Sequence, residues 1–275
     1  MKKIGLLLFT LILILLFLNP NIIANQVLDS INLWIKILIP SLYPSLICID
    51  IISNSKLLTK ITNFIHPLFK KIFNINSSYS TFIIILSYIC GAPASTKLIL
   101  NAKNNNKISS FEAENLIYCF SNLSLPFTIF ILKDYKLILV YYFCSILISA
   151  LLMNIINKKQ EINQLPQNNQ IDFISIFLSS IKKNIELMLN ILGIVMFFRI
   201  IINLIFSNNF IGYSYIEILG GITSTNNKFI ILSSLGFLGI SIHLQILSIY
   251  KVKYYKLLLI RLIYLILGFV FLLNI

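Results

Sequence analysis

Apolar runs of membrane length alternate with short polar segments along this chain, and two of the runs are themselves interrupted near the middle. The first, Phe82 to Leu100, contains Gly91-Ala92-Pro93-Ala94-Ser95-Thr96-Lys97; the second, Phe229 to Tyr250, contains Gly236, Gly239, Ser241, His243 and Gln245. An unpaired backbone polar group in hydrocarbon costs several kcal/mol, so such interruptions persist only where protein buries them or a water-filled cavity meets them. A matching pair, one in each half of the chain, points to a transporter-type binding site.

The other runs fill out a helical plan. Met1-Lys2-Lys3 and the apolar Ile4 to Leu18 have the charged and apolar regions of a signal peptide, but no small-x-small cleavage site follows. A retained, slightly short transmembrane helix within residues 1–25 is therefore favoured over a cleaved leader, with the two lysines on the cytoplasmic side. Leu33 to Ile52 carries Pro40 and Pro44, which remove two helix hydrogen bonds and predict a bent or broken helix, either a tolerated kink or a wall of a central cavity. Lys56 to Phe73 is amphipathic, with Pro67 and His66 in it, and fits a helix lying along the membrane surface. Ser109-Ser110-Phe111-Glu112 fits a capping box, which explains Glu112 and Glu114 as first-turn acids. That helix runs to about Ser121, and Asn122 to Pro126 predicts another break. Tyr135 to Ile156 is an uninterrupted span, and the polar stretch 158–172 is a linker. After it come an amphipathic stretch from Phe173, a span from Leu187 to Phe206 containing Arg199, a soft region from Tyr213 to Gly221 containing Glu217, and a last span from Leu257 to Leu273. The expected organisation is an N-terminal helix (1–25), a first half (26–157), a linker (158–172) and a second half (173–275).

Composition agrees. Of 275 residues, 58% are hydrophobic and 11% charged, whereas a soluble domain carries roughly 25% charged residues. The fold class is all-α, a polytopic helical membrane protein with two related halves and broken or re-entrant helices, its first partner being the lipid bilayer. The net charge of +13 sits mostly in short segments flanking the apolar runs, as in cytoplasmic loops, so no nucleic acid is expected as a partner. Cys48, Cys90, Cys119 and Cys144 form no CxxC pair and read as small buried hydrophobes. No HExxH, GxSxG or Walker-type loop is present, so no enzyme, metal or cofactor is expected.

The interruptions carry the candidate chemistry. A broken helix exposes backbone N–H groups at the start of its second half, where the dipole attracts anions. In the first half Pro93 supplies the break, Gly91 allows close backbone approach, and Lys97 about one turn on adds a full charge, a cradle for a small carboxylate anion. The alternative is that Lys97 reaches toward the loop with Lys103 and Lys107. In the second half His243 and Gln245 bring donors and acceptors into an apolar helix, and Glu217 can reach the same region. Glu217 and His243 would couple solute movement to a proton, or make an interhelical hydrogen bond. The candidate substrate-binding set is Gly91, Pro93, Ser95, Lys97, Asn122, Glu217, Gly239, Ser241, His243 and Gln245.

Taken in order, these segments resemble the YlbJ-type sporulation integral membrane proteins, which contain nucleoside-recognition or Gate domains. The resemblance rests on Ile39-Pro40-Ser41-Leu42-Tyr43-Pro44, on Gly91 to Lys97, on Glu112-Ala113-Glu114 with Asn122-Leu123-Ser124-Leu125-Pro126-Phe127, on Glu217 to Gly221, and on Leu238 to Gln245. Ala92, Ser95 and Leu238 depart from the family pattern of Tyr, Gly and Gly. The resemblance implies a transporter of a small carboxylate, dipicolinate, across the mother-cell-derived membrane around the forespore. That location is the bacterial cytoplasmic membrane or, more narrowly, the outer forespore membrane. It leaves open a nucleoside as substrate, a non-transporting scaffold, and self-association or contact with other sporulation membrane proteins.

Overall fold

The structure, a computed structural model, describes residues 10, 14, 16–53, 56–132, 134–156, 173–206 and 210–266. The expected linker 158–172 lies outside these, as do most of the first apolar run and the end of the last. The described residues are helical, with no strand among them. Five helices are long and apolar enough to cross a membrane: Pro20–Ile52, Ser110–Leu132, Tyr135–Ile156, Phe173–Ile205 and Lys228–Ile249. These mark an integral membrane protein.

Helix α1 (Pro20–Leu33) starts on a proline at its first turn, where the missing N–H costs nothing, and passes without a stop through a π-helical turn (Trp34–Leu38) into α2 (Ile39–Ser53). One long helix thus runs through residue 25. The kink predicted from Pro40 and Pro44 takes the form of the π turn, which widens the backbone next to Pro40 instead of breaking it. Helix α3 (Lys56–Phe73) keeps Phe64 and Leu68 exposed and meets α4 (Ser78–Cys90) at 84°. After Gly91–Pro93 the chain enters α5 (Ala94–Asn104), then α6 (Ser110–Phe120) and α7 (Leu125–Leu132), which together make one interrupted span. Ser109 caps α6 as expected, accepting from the Glu112 N–H at 3.1 Å, while the buried Glu112 carboxylate accepts from Ser80 Oγ at 2.7 Å.

Helix α8 (Tyr135–Ile156) shows why an apolar helix of this kind stays at the periphery. Leu137, Tyr141, Ser145, Ser149 and Met153 form a buried stripe at four-residue spacing, and Leu139, Phe143, Leu147, Leu151 and Ile155 form an exposed one. Helix α9 (Phe173–Phe206) is continuous and packs along α1 and α2, with Trp34 donating its indole N–H to the Met188 carbonyl at 3.0 Å. Two short helices follow, α10 (Phe210–Ile216) and α11 (Ile218–Ser224), then α12 (Lys228–Phe237), α13 (Gly239–Ile249) and α14 (Tyr254–Tyr264). The interrupted spans are the buried ones: 67% of the apolar window of Ser110–Leu132 and 78% of that of Lys228–Ile249 are buried, against 22% for Tyr135–Ile156. Their breaks therefore meet protein instead of lipid.

The two ends of the bundle differ in charge. Twenty-two residues of α8 span about 33 Å. Near its C-terminal end Asn154 bonds the Ile72 carbonyl, and at the same end Asp50 accepts from Ser180, Lys103 donates to the Tyr250 hydroxyl, and Ser77 donates to the Lys107 carbonyl. At its N-terminal end Asp134 and Lys228 form an ion pair at 3.7 Å.

Candidate functional site

The first break is built from two chain turns pressed together. Gly91 has φ +63°, and a Cβ placed there would lie 2.2 Å from the Ser124 backbone nitrogen, so no other residue fits without moving the backbone. The Ala92 N–H donates to the Asn122 carbonyl at 2.7 Å, which fastens the turn after α4 to the gap between α6 and α7. Neighbouring helices satisfy the rest of that gap: Tyr141 Oη accepts from the Leu123 N–H, and Tyr142 Oη donates to the Leu123 carbonyl. The last carbonyls of α6 are also met from outside. Arg261 of α14 donates to the Tyr118 carbonyl at 3.1 Å, and Ser149 and Tyr264 bond the Cys119 carbonyl at 2.8 Å each. A fully buried cation at a helix C-terminus opposes the negative end of the dipole.

The second break is one residue wide. Leu238 adopts the left-handed conformation at φ +74° and Gly239 follows at φ +68°. The freed carbonyl of Phe237 accepts from His243 Nε2 at 2.8 Å, one turn along the same span. Gly239 packs against the junction of α10 and α11, where an added Cβ would lie 3.2 Å from the Ile216 carbonyl oxygen. At that junction Glu217 caps α11, its Oε2 accepting from the Gly220 N–H at 2.7 Å. Gly221 lies directly on Ser214, with a Cβ at position 221 only 2.1 Å from the Ser214 Cα, so α10 and α11 fold back on each other at Glu217.

Between the two breaks lies a cavity of about 30 Å³, lined by Ala92, Pro93 and Ser124 from the first, by Glu217, Ser241 and Gln245 from the second, and by apolar residues of α1–α2 and α9. That volume is room for about two water molecules, too small for an organic solute without movement of the surrounding helices. The polar groups on it are one buried carboxylate, hydroxyls and an amide, and no lysine or arginine lines it.

Of the residues singled out in the sequence, Pro93, Glu217, Ser241 and Gln245 share this cavity. Gly91 and Gly239 stand just behind it as the close backbone contacts that form the two turns. Ser95 is fully buried, with no hydrogen-bond partner for its Oγ among the described residues, and does not line the cavity. Asn122 turns away and accepts from Arg261 at 3.4 Å. His243 serves its own helix break. Lys97 reaches elsewhere, donating to the Lys183 carbonyl at 3.1 Å beside a void of about 10 Å³ also lined by Asp50, Cys90, Asn101 and Asn184. Arg199 is buried in α9, with Nε and Nη1 lacking partners among the described residues.

Three contributors escaped the sequence reading. Ser124 lines the cavity, Arg261 holds the first break, and Asp50 joins α2 to α9 by accepting from Ser180 at 2.8 Å and Asn184 at 2.9 Å. Arg261 carried a usable signal, an arginine inside an apolar run. Among the described residues no cluster of three His, Cys, Asp or Glu side chains is placed to hold a metal ion. Compared with known protein families, with curated proteins and with solved structures, the chain matches none.

Proposed function

We propose that this protein is a secondary membrane transporter that moves a small polar solute by alternating access around the cavity between Pro93 and Glu217. The observation that carries the proposal is that breaks far apart in sequence, one in each half, come together on one largely apolar cavity into which Ser124, Glu217, Ser241 and Gln245 bring the polar groups. Backbone irregularity at membrane depth belongs where it lines a solute site.

Two halves related by inversion give the mechanism its hinge. Each half presents a long helix, a pair of short helices meeting at a tight turn, an interrupted span and a further helix: α1–α2, α4/α5, α6/α7 and α8, then α9, α10/α11, α12/α13 and α14. In each, the turn of the short pair packs on the break of the interrupted span, through Gly91 on Ser124 and through Gly239 on Ile216. The α4/α5 pair opens toward the end where Ser77 meets Lys107, and α10/α11 leads toward the end where Lys228 meets Asp134. In this proposal both pairs are re-entrant, from opposite sides, and rocking one half against the other exposes the cavity alternately.

For the substrate, the sequence resemblance supports a small carboxylate, dipicolinate, moved during sporulation across the mother-cell-derived membrane. A buried Glu217 carboxylate in the cavity repels such an anion unless a proton enters with it, so carboxylate transport here would be proton-coupled. A neutral hydrogen-bonding solute such as a nucleoside is the second reading. It is favoured by the same observation, because Glu217, Ser241 and Gln245 line the cavity while Lys97 does not. Uptake of labelled dipicolinate and of a labelled nucleoside into vesicles containing the purified protein separates these. Saturable uptake of either, abolished by Gln245→Ala, supports transport; dipicolinate uptake that ignores an imposed proton gradient overturns the coupling, and no uptake of either solute overturns both readings.

A further inference from the structure

Outside the central cavity lies a much larger cleft of about 570 Å³, lined by polar groups of three elements: Asp50 of α2, Asn101 of α5 with Asn105 and Lys107 beyond it, and Ser179, Ser180 and Lys183 of α9. It is wide enough for several water molecules. Asp50, Leu98 and Asn101 line both this cleft and the small void beside Lys97, and that void also touches Cys90 and Ala94, the residues flanking the Gly91–Pro93 turn. Cleft, void and central cavity thus follow one another along α5, from its C-terminal end inward to its first turn.

Polar contacts between three helices lie between cleft and cavity. Lys97 of α5 donates to the Lys183 carbonyl of α9, and Asp50 of α2 accepts from Ser180 and Asn184 of α9. The charged groups facing the Lys97 ammonium are Lys183, Asp50 and Glu186. A hydrogen bond to a backbone carbonyl ties α5 to α9 here, with Asp50 and Glu186 nearby. Lys107 and Lys183 line the cleft against the single carboxylate of Asp50, so its charge favours the approach of a small anion.

We infer that this cleft is the solute's approach from the lysine-rich end and that Lys97 is the gate residue closing it off from the central cavity. This rests on the transporter reading. Among the described residues Lys70, Lys71, Lys103, Lys107, Lys183, Lys251 and Lys253 gather at this end, against Lys136 and Lys228 at the other, which places the cleft on the cytoplasmic side by the positive-inside rule. The structure is then the closed-gate form, hydrated up to Lys97 and sealed beyond it.

Native Cys90 lies just inside the gate and reports on it. The test is modification of the full chain in lipid vesicles by a membrane-impermeant maleimide, with each cysteine read separately by mass spectrometry. Cys90 and Cys119 are both buried, and the inference expects Cys90 to react at least ten-fold faster than Cys119. Lys97→Met, which keeps the stem and removes the hydrogen bond, raises the Cys90 rate ten-fold or more, while Lys107→Met at the mouth leaves it within two-fold. Ser179→Cys reacts rapidly only in vesicles that present the cytoplasmic face outward. Equal rates for Cys90 and Cys119 in the unaltered chain, or a Cys90 rate unmoved in a folded Lys97→Met protein, overturn the gate; rapid Ser179→Cys labelling from the opposite face overturns the orientation. Expected labelling without any solute uptake overturns transport and leaves the hydrated path standing, whereas uptake with a silent Cys90 does the reverse.

Discussion

The break between α6 and α7 and the break between α12 and α13 solve the same problem by different means. Each leaves backbone N–H and C=O groups without helical partners inside an apolar bundle. At the first, the partners come from far along the chain: Arg261, Tyr264, Ser149, Tyr141 and Tyr142. At the second, a single left-handed leucine turns the chain and His243, one turn away, closes the gap. The first break therefore depends on the packed bundle, and the second is nearly self-contained. In an alternating-access cycle a self-contained break travels as a unit with its span, while a cross-linked one stays fixed to the helices that hold it.

The comparison is sharpest at the two glycines. Gly91→Ala pushes a Cβ into backbone atoms 2.2 Å away and adds a left-handed penalty of about 1–2 kcal/mol. The expected outcome is loss of folded protein, read as disappearance of the monodisperse peak after detergent extraction. Arg261→Leu comes next, because it strips charge-assisted bonds from the first break; a loss of about 3 kcal/mol follows, seen as a lowered Tm, with Arg261→Lys recovering only part of it. A small effect from Arg261→Leu would show that the first break is as self-contained as the second. Gly239→Ala meets only a 3.2 Å contact and costs about 1–2 kcal/mol by the same backbone preference. A penalty equal to that of Gly91→Ala would erase the distinction. Smallest is His243→Ala, which leaves the Phe237 carbonyl unmatched at about 1 kcal/mol; His243→Gln, retaining a donor, should restore most of the lost Tm.

The legible parts were those where residue type dictates backbone. Gly91 and Pro93 announced a break because one allows close backbone approach and the other removes a donor, and the Ser109–Glu112 signature placed the start of α6. The break at Leu238 was legible only as a region, since nothing in a leucine marks it for the left-handed conformation, and the glycines beside it were the nearer signal. The same limit explains Lys97. Its spacing from Pro93 suggested a place at the cavity, but a long side chain one turn along can point to either side, and contact with α9 decided for the Lys183 carbonyl.

By itself the sequence determined the class and the punctuation: apolar runs too long and too uncharged for a soluble domain, interrupted in each half by small and polar residues that a bilayer tolerates only under protein cover. Tertiary structure decided which interruptions meet. That Pro93, Ser124, Glu217, Ser241 and Gln245 share one cavity, while His243, Asn122 and Lys97 serve helix ends and a neighbouring contact, follows from the packing of α4–α7 against α10–α13. Hydrophobic periodicity states that a face is buried, but it carries no information about which buried face it will meet.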